Sequence, residues 1–365
     1  MSWSHRKKSA TGLLAFVGVL ILLTSPLSPL CLVPAGTAPE TDPNSAAKPL
    51  TRLLSTLTPR QGEIFPSSTP KVVLYHSGPA LPASWTKAEG SLPALEQRPL
   101  AGADPETVQR EADLFCVTPA DLAWIRSWTE LVPLPEEEWW PGIHVVFSGQ
   151  AHDPDNRETR AFRWTSWLFV HKAGNPPGKT WWNHHQALWP DEPDVLAGLR
   201  LKEQGHSANS PAPRRAEAWA EIRDGILPRT NSDWSACWTA VQSGHAALTF
   251  LPACVKLAPG GSQTDATFWS VPEKGTLIQL EVLALSARSS RTDDARKWAE
   301  RLLSPELQNR LLTETGYFPT TSDPAKEIAH CPLRLPPGDW FNRGEFILEN
   351  QLETRPVPPP ASPTE

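Results

Sequence analysis

The sequence lacks the compact signatures of nucleotide and hydrolytic chemistry. It has no Gly-x-Ser-x-Gly elbow, no Walker loop and no His-Glu-x-x-His pair. Residues 174–180 end in Gly-Lys-Thr, but the spacing is wrong, and Pro176 and Pro177 remove backbone donors that a phosphate cradle needs. Cysteine is scarce, at 5 residues, and none stands at metal-ligand spacing. His184 and His185 are adjacent, so their side chains point apart on a helix or a strand and cannot chelate one ion by themselves. A metal or other cofactor is therefore not expected, and neither is an enzyme. Positive charge is also short. The formal net charge is -6, and it becomes -9 once Arg6, Lys7 and Lys8 at the start are set aside, which argues against a nucleic-acid partner.

What is present is a chain of 365 residues, 39% hydrophobic and 20% charged, with 40 prolines and 17 tryptophans. That length and balance suit a globular protein of two domains. Most of the tryptophans are expected in cores, with some left to line a groove. Residues 1–35 read as a signal peptide or an uncleaved anchor: a basic start, then an apolar run at 13–23 too short for a clear membrane span, then Val33-Pro34-Ala35 as a small-residue cleavage site. Cys31 raises the question of lipidation, but Ser28-Pro29-Leu30 lacks the small residue wanted beside it. The rest of the chain is placed outside the cytoplasmic membrane, in the periplasm. Residues 36–69 form a Pro/Ser/Thr-rich linker, and 351–365 a disordered tail. Cys116, Cys237, Cys254 and Cys331 remain, either paired in disulfides or buried as small apolar groups.

Short apolar runs at 71–75, 112–117, 161–171, 246–251, 268–271 and 278–285 read as strands. Helices are expected from Pro119, before Trp189, over 194–204 and 213–224, and from Asp233 to Gly244. This alternation predicts an α/β fold with mainly parallel sheets. The most informative stretch is residues 292–321. Ala295, Trp298, Ala299, Leu302 and Leu303 recur at helical spacing. Ser304 caps a second helix with Pro305 at its first position, Gly316 closes it, and Pro319 forbids its resumption.

That stretch resembles the signature of bacterial solute-binding proteins, in which L-x-P-E-x-Q, a helix and T-G-Y-x-P follow one another. Other segments fall in the order of the periplasmic spermidine/putrescine-binding proteins, a branch of the type II periplasmic binding proteins. Residues 112–118 resemble Y-D-L-x-x-x-S, and Leu131-Val132-Pro133-Leu134 is similar to G-x-L-x-P-L. Asp153-Pro154-Asp155-Asn156, with Phe162-Arg163-Trp164-Thr165, resembles D-P-x-N and P-x-x-W-G. LKEQGHSAN at 201–209 resembles L-x-x-L-G-Y-S-x-N. Residues 243–248 resemble S-G-E-A-x-L, and Pro272-Glu273-Lys274-Gly275 resembles P-x-E-G.

The resemblance spans about residues 70–345. It implies a two-lobed type II periplasmic-binding-protein fold with the ligand cleft between the lobes. One lobe would take 70–166 and 280–325, the other 167–279 and 326–350. It further implies a monomeric receptor serving an ABC-type transporter permease. The implied solute is a polyamine or another small organic cation, held by carboxylates and aromatic walls. Carried over position by position, the acid falls on Glu281, the aromatic before it on Gln279, the exit tyrosine on Tyr317 and the hydroxyl on Thr118. The acidic pair falls on Asp191 and Glu192, and Ser77-Gly78 stands where an aromatic and a hydroxyl are expected. Ala120, Val195 and Pro252 replace further family groups. Some charge is kept and most of the aromatic box is lost. Either Trp164, Trp167, Trp181 or Trp182 supplies walls from new positions, or the ligand differs. A sensor or scaffold on the same fold is the alternative function, and a hydrolase with an unrecognised site is the third.

Overall fold

The apolar runs assemble into one sheet. The computed structural model describes residues 71–348 except 135–142, 174–176, 258–266, 334 and 336–340, all within the unit Pro66–Glu365. The leader, the linker, the tail and Cys31 lie outside the described residues. Strands β1 (Lys71–His76), β2 (Ala94–Pro99), β3 (Leu114–Val117) and β4 (Thr159–Lys172) are followed by the short β5 (Trp189–Pro190) and β6 (Thr230–Asn231). Then come β7 (Leu248–Pro252), β8 (Thr267–Ser270), β9 (Leu277–Leu285), β10 (Phe318–Pro319) and β11 (Glu345–Phe346). The main sheet runs β10-β4-β9-β3-β1-β2, with β7 and β8 also on β4, and β11 on β9.

The α/β class is as expected, but the sheet is mixed rather than mainly parallel. β1 pairs in parallel with β2 and β3, whereas β4 pairs antiparallel with β7, β8, β9 and β10, and β3 antiparallel with β9. Alternating strands and helices dictate direction only where a single crossover joins neighbours. More than 100 residues separate β4 from β9, so that rule does not bind them.

Helices cover both faces of the sheet. They are α1 (Pro105–Glu111), α2 (Pro119–Arg126), α3 (Pro193–Glu203), α4 (Ala212–Ile226) and α5 (Trp234–Ser243), then α6 (Cys254–Leu257), α7 (Thr292–Leu302), α8 (Pro305–Thr315) and α9 (Pro324–His330). The helical pair at 292–315 forms as its punctuation requires. The Ser304 hydroxyl accepts from the Leu307 amide, Pro305 opens α8, and Gly316 closes it at φ 77°. The helix expected before Trp189 is instead a single 3₁₀ turn, Trp181–Asn183, followed by β5. No helix among the described residues is long and apolar enough to cross a membrane.

Successive side chains of a strand point to opposite faces, and here they feed three apolar clusters. On one face Ile278, Leu280, Val282 and Ala284 of β9 join Trp164, Leu168 and Val170 of β4, under α2 and α5. The other face of β9 reads Leu277, Gln279, Glu281, Leu283, Leu285. Leu283 and Leu285 pack with Phe162, Trp298 and Leu311 under α7 and α8. Leu277 packs with Trp167, Phe169, Leu196 and Ile222 under α3 and α4. The register of β4 against β9 shifts between Ala161 and Arg163. That bulge puts Arg163 and Thr165 on the same face as Gln279 and Glu281. A polar seam therefore lies between two separate apolar cores, at the crossing of the two longest strands.

Candidate ligand site

The seam is built from β4 and β9 and closed by the turns after β1 and α8. Glu281 and Arg163 are its centre, both fully buried. Arg163 Nε donates to Glu281 Oε2 at 2.8 Å, and Arg163 Nη2 stands 2.7 Å from the same oxygen. Nη2 also donates to the Pro79 carbonyl at 2.7 Å. The guanidinium carbon lies 4.2 Å from the centre of the Tyr317 ring, within range for a cation–π contact. The Cys116 thiol donates to Glu281 Oε2 at 3.4 Å. Gly78 approaches so closely that a Cβ there would stand 2.1 Å from Glu281 Oε1. A carboxylate buried this deeply needs such a partner, because an unpaired charge in the interior costs several kcal/mol or more.

The loop Ser77–Pro79 is tied to α2. The Ser77 amide donates to the Cys116 carbonyl at 3.1 Å. Its hydroxyl accepts from the Thr118 amide at 3.2 Å. Thr118 caps α2, its hydroxyl accepting from the Asp121 amide. Tyr317 enters from the turn after α8, just past Gly316. The Cys254 thiol stands beside its hydroxyl, which makes no full hydrogen bond. Burial pushes the Cys254 thiol up to about 12 and raises Cys116 and Tyr317 well above their usual values. All three therefore stay protonated. For Arg163, burial is the largest single influence and lowers the pKa, but Glu281, Cys116 and Tyr317 around it together outweigh burial, so the guanidinium is held above its ordinary value. Arg163 Nη1 and Glu281 Oε1 are buried without a hydrogen-bond partner.

Of the positions anticipated from the sequence, Ser77, Thr118, Glu281 and Tyr317 are brought together here. Gln279 sits two residues along the same face of β9, where its Oε1 accepts from Trp167 Nε1 at 3.1 Å. Trp167 meets Trp234 edge to face at 5.4 Å. Trp234 Nε1 in turn donates to Glu192 Oε1 at 3.2 Å. Glu192 thus joins the seam's far end through two indoles. Asp191 is exposed, with its amide on the Asn231 carbonyl. Trp164 lies on the opposite face, stacked on Phe318 at 4.5 Å with its Nε1 on the Pro319 carbonyl. Trp181 and Trp182 pack in the core beneath α3 and α4. The group the sequence reading missed is Arg163. The signal available was the one charge inside the strand expected at 161–171, which demands a buried partner.

The other motifs fall elsewhere. The His184 and His185 rings stack in parallel at 5.4 Å. Cys116, Cys237, Cys254 and Cys331 are all buried thiols, not disulfides. No cluster of three or more His, Cys, Asp or Glu that could hold a metal occurs among the described residues. A separate cavity of about 600 Å³ opens beside Phe169, Trp181, Arg200, Glu203 and Lys274. Burial raises Glu203 to about 7, against the pull of the Trp181 and Arg200 hydrogen bonds.

No family model matches the sequence, and no curated protein matches it. Solved structures do match in fold. A spermidine/putrescine ABC transporter protein from Listeria monocytogenes superposes with a TM-score of 0.61 at 15% identity, covering 78% of this chain and 94% of that one. The spermidine/putrescine ABC transporter substrate-binding protein PotD from Streptococcus pneumoniae gives 0.53 at 17% identity, covering 71% and 85%. A ferric binding protein from Campylobacter jejuni gives 0.52 at 15% identity, covering 69% and 87%. At these identities the likeness speaks for architecture alone: the chain has the α/β fold of the two-lobed type II periplasmic binding proteins.

Proposed function

We propose that the chain is an extracytoplasmic solute-binding protein. It would capture a small solute between two lobes and deliver it to the membrane permease of an ABC-type transporter, without catalysis. The observation that carries this reading is the polar seam. Arg163, Thr165, Gln279 and Glu281 interrupt two apolar cores at the point where β4 and β9 pass from one to the other. Lobes of 70–166 with 280–325, and 167–279 with 326–350, change over at that seam, so hinge closure would bring their facing loops onto it. The reading places the protein in the periplasm as a monomer, exported by its N-terminal segment.

The solute proposed from the sequence is a polyamine or another small organic cation, and fold neighbours include proteins named for spermidine/putrescine and for ferric binding. One observation favours a second reading, an envelope sensor or scaffold with a different ligand or none. The Glu281 carboxylate is already neutralised by Arg163.

A thermal-shift screen of polyamines, amino acids and phosphorylated metabolites tests the proposal. Binding to the folded state alone raises the melting temperature by linkage, and a cleft ligand should also shift tryptophan fluorescence. A saturable response to any of the three classes supports solute binding and names the class. No response throughout would sink it in favour of the scaffold.

A further inference from the structure

We infer that Arg163 is a tethered cation: its guanidinium fills the place that the positive head of a solute would take against Glu281 and the Tyr317 ring. This rests on the reading that the seam is the solute site. An organic cation is recognised by a carboxylate, an aromatic face and a carbonyl oxygen converging from different sides. Glu281 Oε2, the Tyr317 ring and the Pro79 carbonyl do this, at 2.8 Å, 4.2 Å and 2.7 Å. Three separate parts of the chain supply them: β9, the turn after α8 and the loop after β1. The cation they surround comes from a fourth, β4, at the bulge that turns Arg163 into the seam.

The fit is incomplete in a telling way. Arg163 Nη1 and Glu281 Oε1 are buried with no partner, so the shell is not optimised as a purely structural ion pair would be. The Ser77–Pro79 loop that closes the site reaches the surface, where Pro79 is exposed. The wild-type seam is thus specific against free cations at Glu281. Arg163 sets that specificity, and the solute meets the neutral pair or the Gln279 end.

Cutting the side chain back to Cβ tests this directly. Arg163→Ala removes a fragment equal to N-ethylguanidinium and leaves Glu281, Tyr317 and the Pro79 carbonyl in place. The full chain and its variants are melted with N-ethylguanidinium chloride up to about 10 mM, against sodium chloride at equal ionic strength. The expected result is a lowered melting temperature for Arg163→Ala that recovers saturably by roughly 2–4 °C. Wild type should not respond, and Arg163→Ala with Glu281→Gln should lose the recovery.

Should Arg163→Ala not fold in buffer, dilution from urea with and without N-ethylguanidinium reads the same property as yield of folded protein. Indifference of the variant in both assays overturns the inference, as does an equal response in wild type or in the double variant. A metabolite that shifts wild type while Arg163→Ala ignores N-ethylguanidinium removes the tethered cation and keeps solute binding. Rescue of the variant with no metabolite shifting wild type does the reverse.

Discussion

Replacing Gly78 by alanine probes the tightest contact in the seam. Gly78 does not have a left-handed backbone, so the added methyl acts through sterics alone. The new Cβ would stand 2.1 Å from Glu281 Oε1, 2.9 Å from its Cδ and 3.2 Å from Oε2, whereas ordinary contact begins at 3.4 Å. The carboxylate must therefore retreat by about 1.3 Å. It has nowhere free to go, because Oε2 is held by Arg163 at 2.7 Å and by the Cys116 thiol at 3.4 Å, and the whole group is buried. Overpacking of this kind costs about 1–3 kcal/mol. A broken buried ion pair costs about 3–5 kcal/mol. A loss of roughly 3 kcal/mol is expected, read as a lower urea midpoint followed by tryptophan fluorescence.

Glu281→Asp supplies the control, since it draws the carboxylate back by about one bond length of 1.5 Å. In that background Gly78→Ala should cost much less, giving a coupling energy of at least about 1 kcal/mol between the two positions. A Gly78→Ala midpoint equal to wild type refutes the reasoning. So does a penalty that is the same with Asp at 281.

Tyr317→Phe should change stability by less than about 1 kcal/mol, because the buried hydroxyl makes no full hydrogen bond while the ring keeps its face on Arg163; Tyr317→Ala, which removes the ring, should cost about 3–5 kcal/mol in the same urea titration. Ser304→Ala removes the α8 cap, which accepts from the Leu307 amide at 3.4 Å, and should lower stability by about 1 kcal/mol. His152 is held at about 4 by burial, below its ordinary 6.5, with Arg126 adding to the effect and Asp153 opposing it. The unfolded chain then takes the proton first, so stability is present above pH 6.5 and is lost as pH falls toward 4. The loss should be on the order of 2 kcal/mol. Urea midpoints between pH 7 and pH 4.5 should fall less steeply in His152→Asn than in wild type.

The parts of the fold legible in the sequence are those written in local chemistry. Ser304, Pro305, Gly316 and Pro319 act within a few residues of where they stand, and Asp233 and Gly244 bound α5 in the same way. β2, ALEQRP, carries two charges and a proline, so it reads as loop and becomes an edge strand only because β1 offers it a partner. α1 buries Val108 alone and so leaves no apolar stripe to detect. At the seam, Glu281, Tyr317, Thr118 and Ser77 were legible by resemblance of motif. The pairing that changes their chemistry was not, because Arg163 and Glu281 are 118 residues apart. Likewise no local pattern records which face of β4 takes Arg163 and which takes Trp164. That depends on the bulge between Ala161 and Arg163.

The position of β9 also bears on the order in which the molecule can come into being. It lies between β3 and β4 and takes β11 at its own edge, so two earlier strands acquire their shared neighbour only once residue 285 has been made. β10 and α8 arrive later still, and they bring Tyr317 over Arg163. Until then β3 and β4 expose unpaired edges, and Arg163 lacks its counter-ion. Contacts over such distances form slowly and late. A chain halted near residue 276 should therefore be an aggregating intermediate, not a folded half, and full-length synthesis should precede closure of the core.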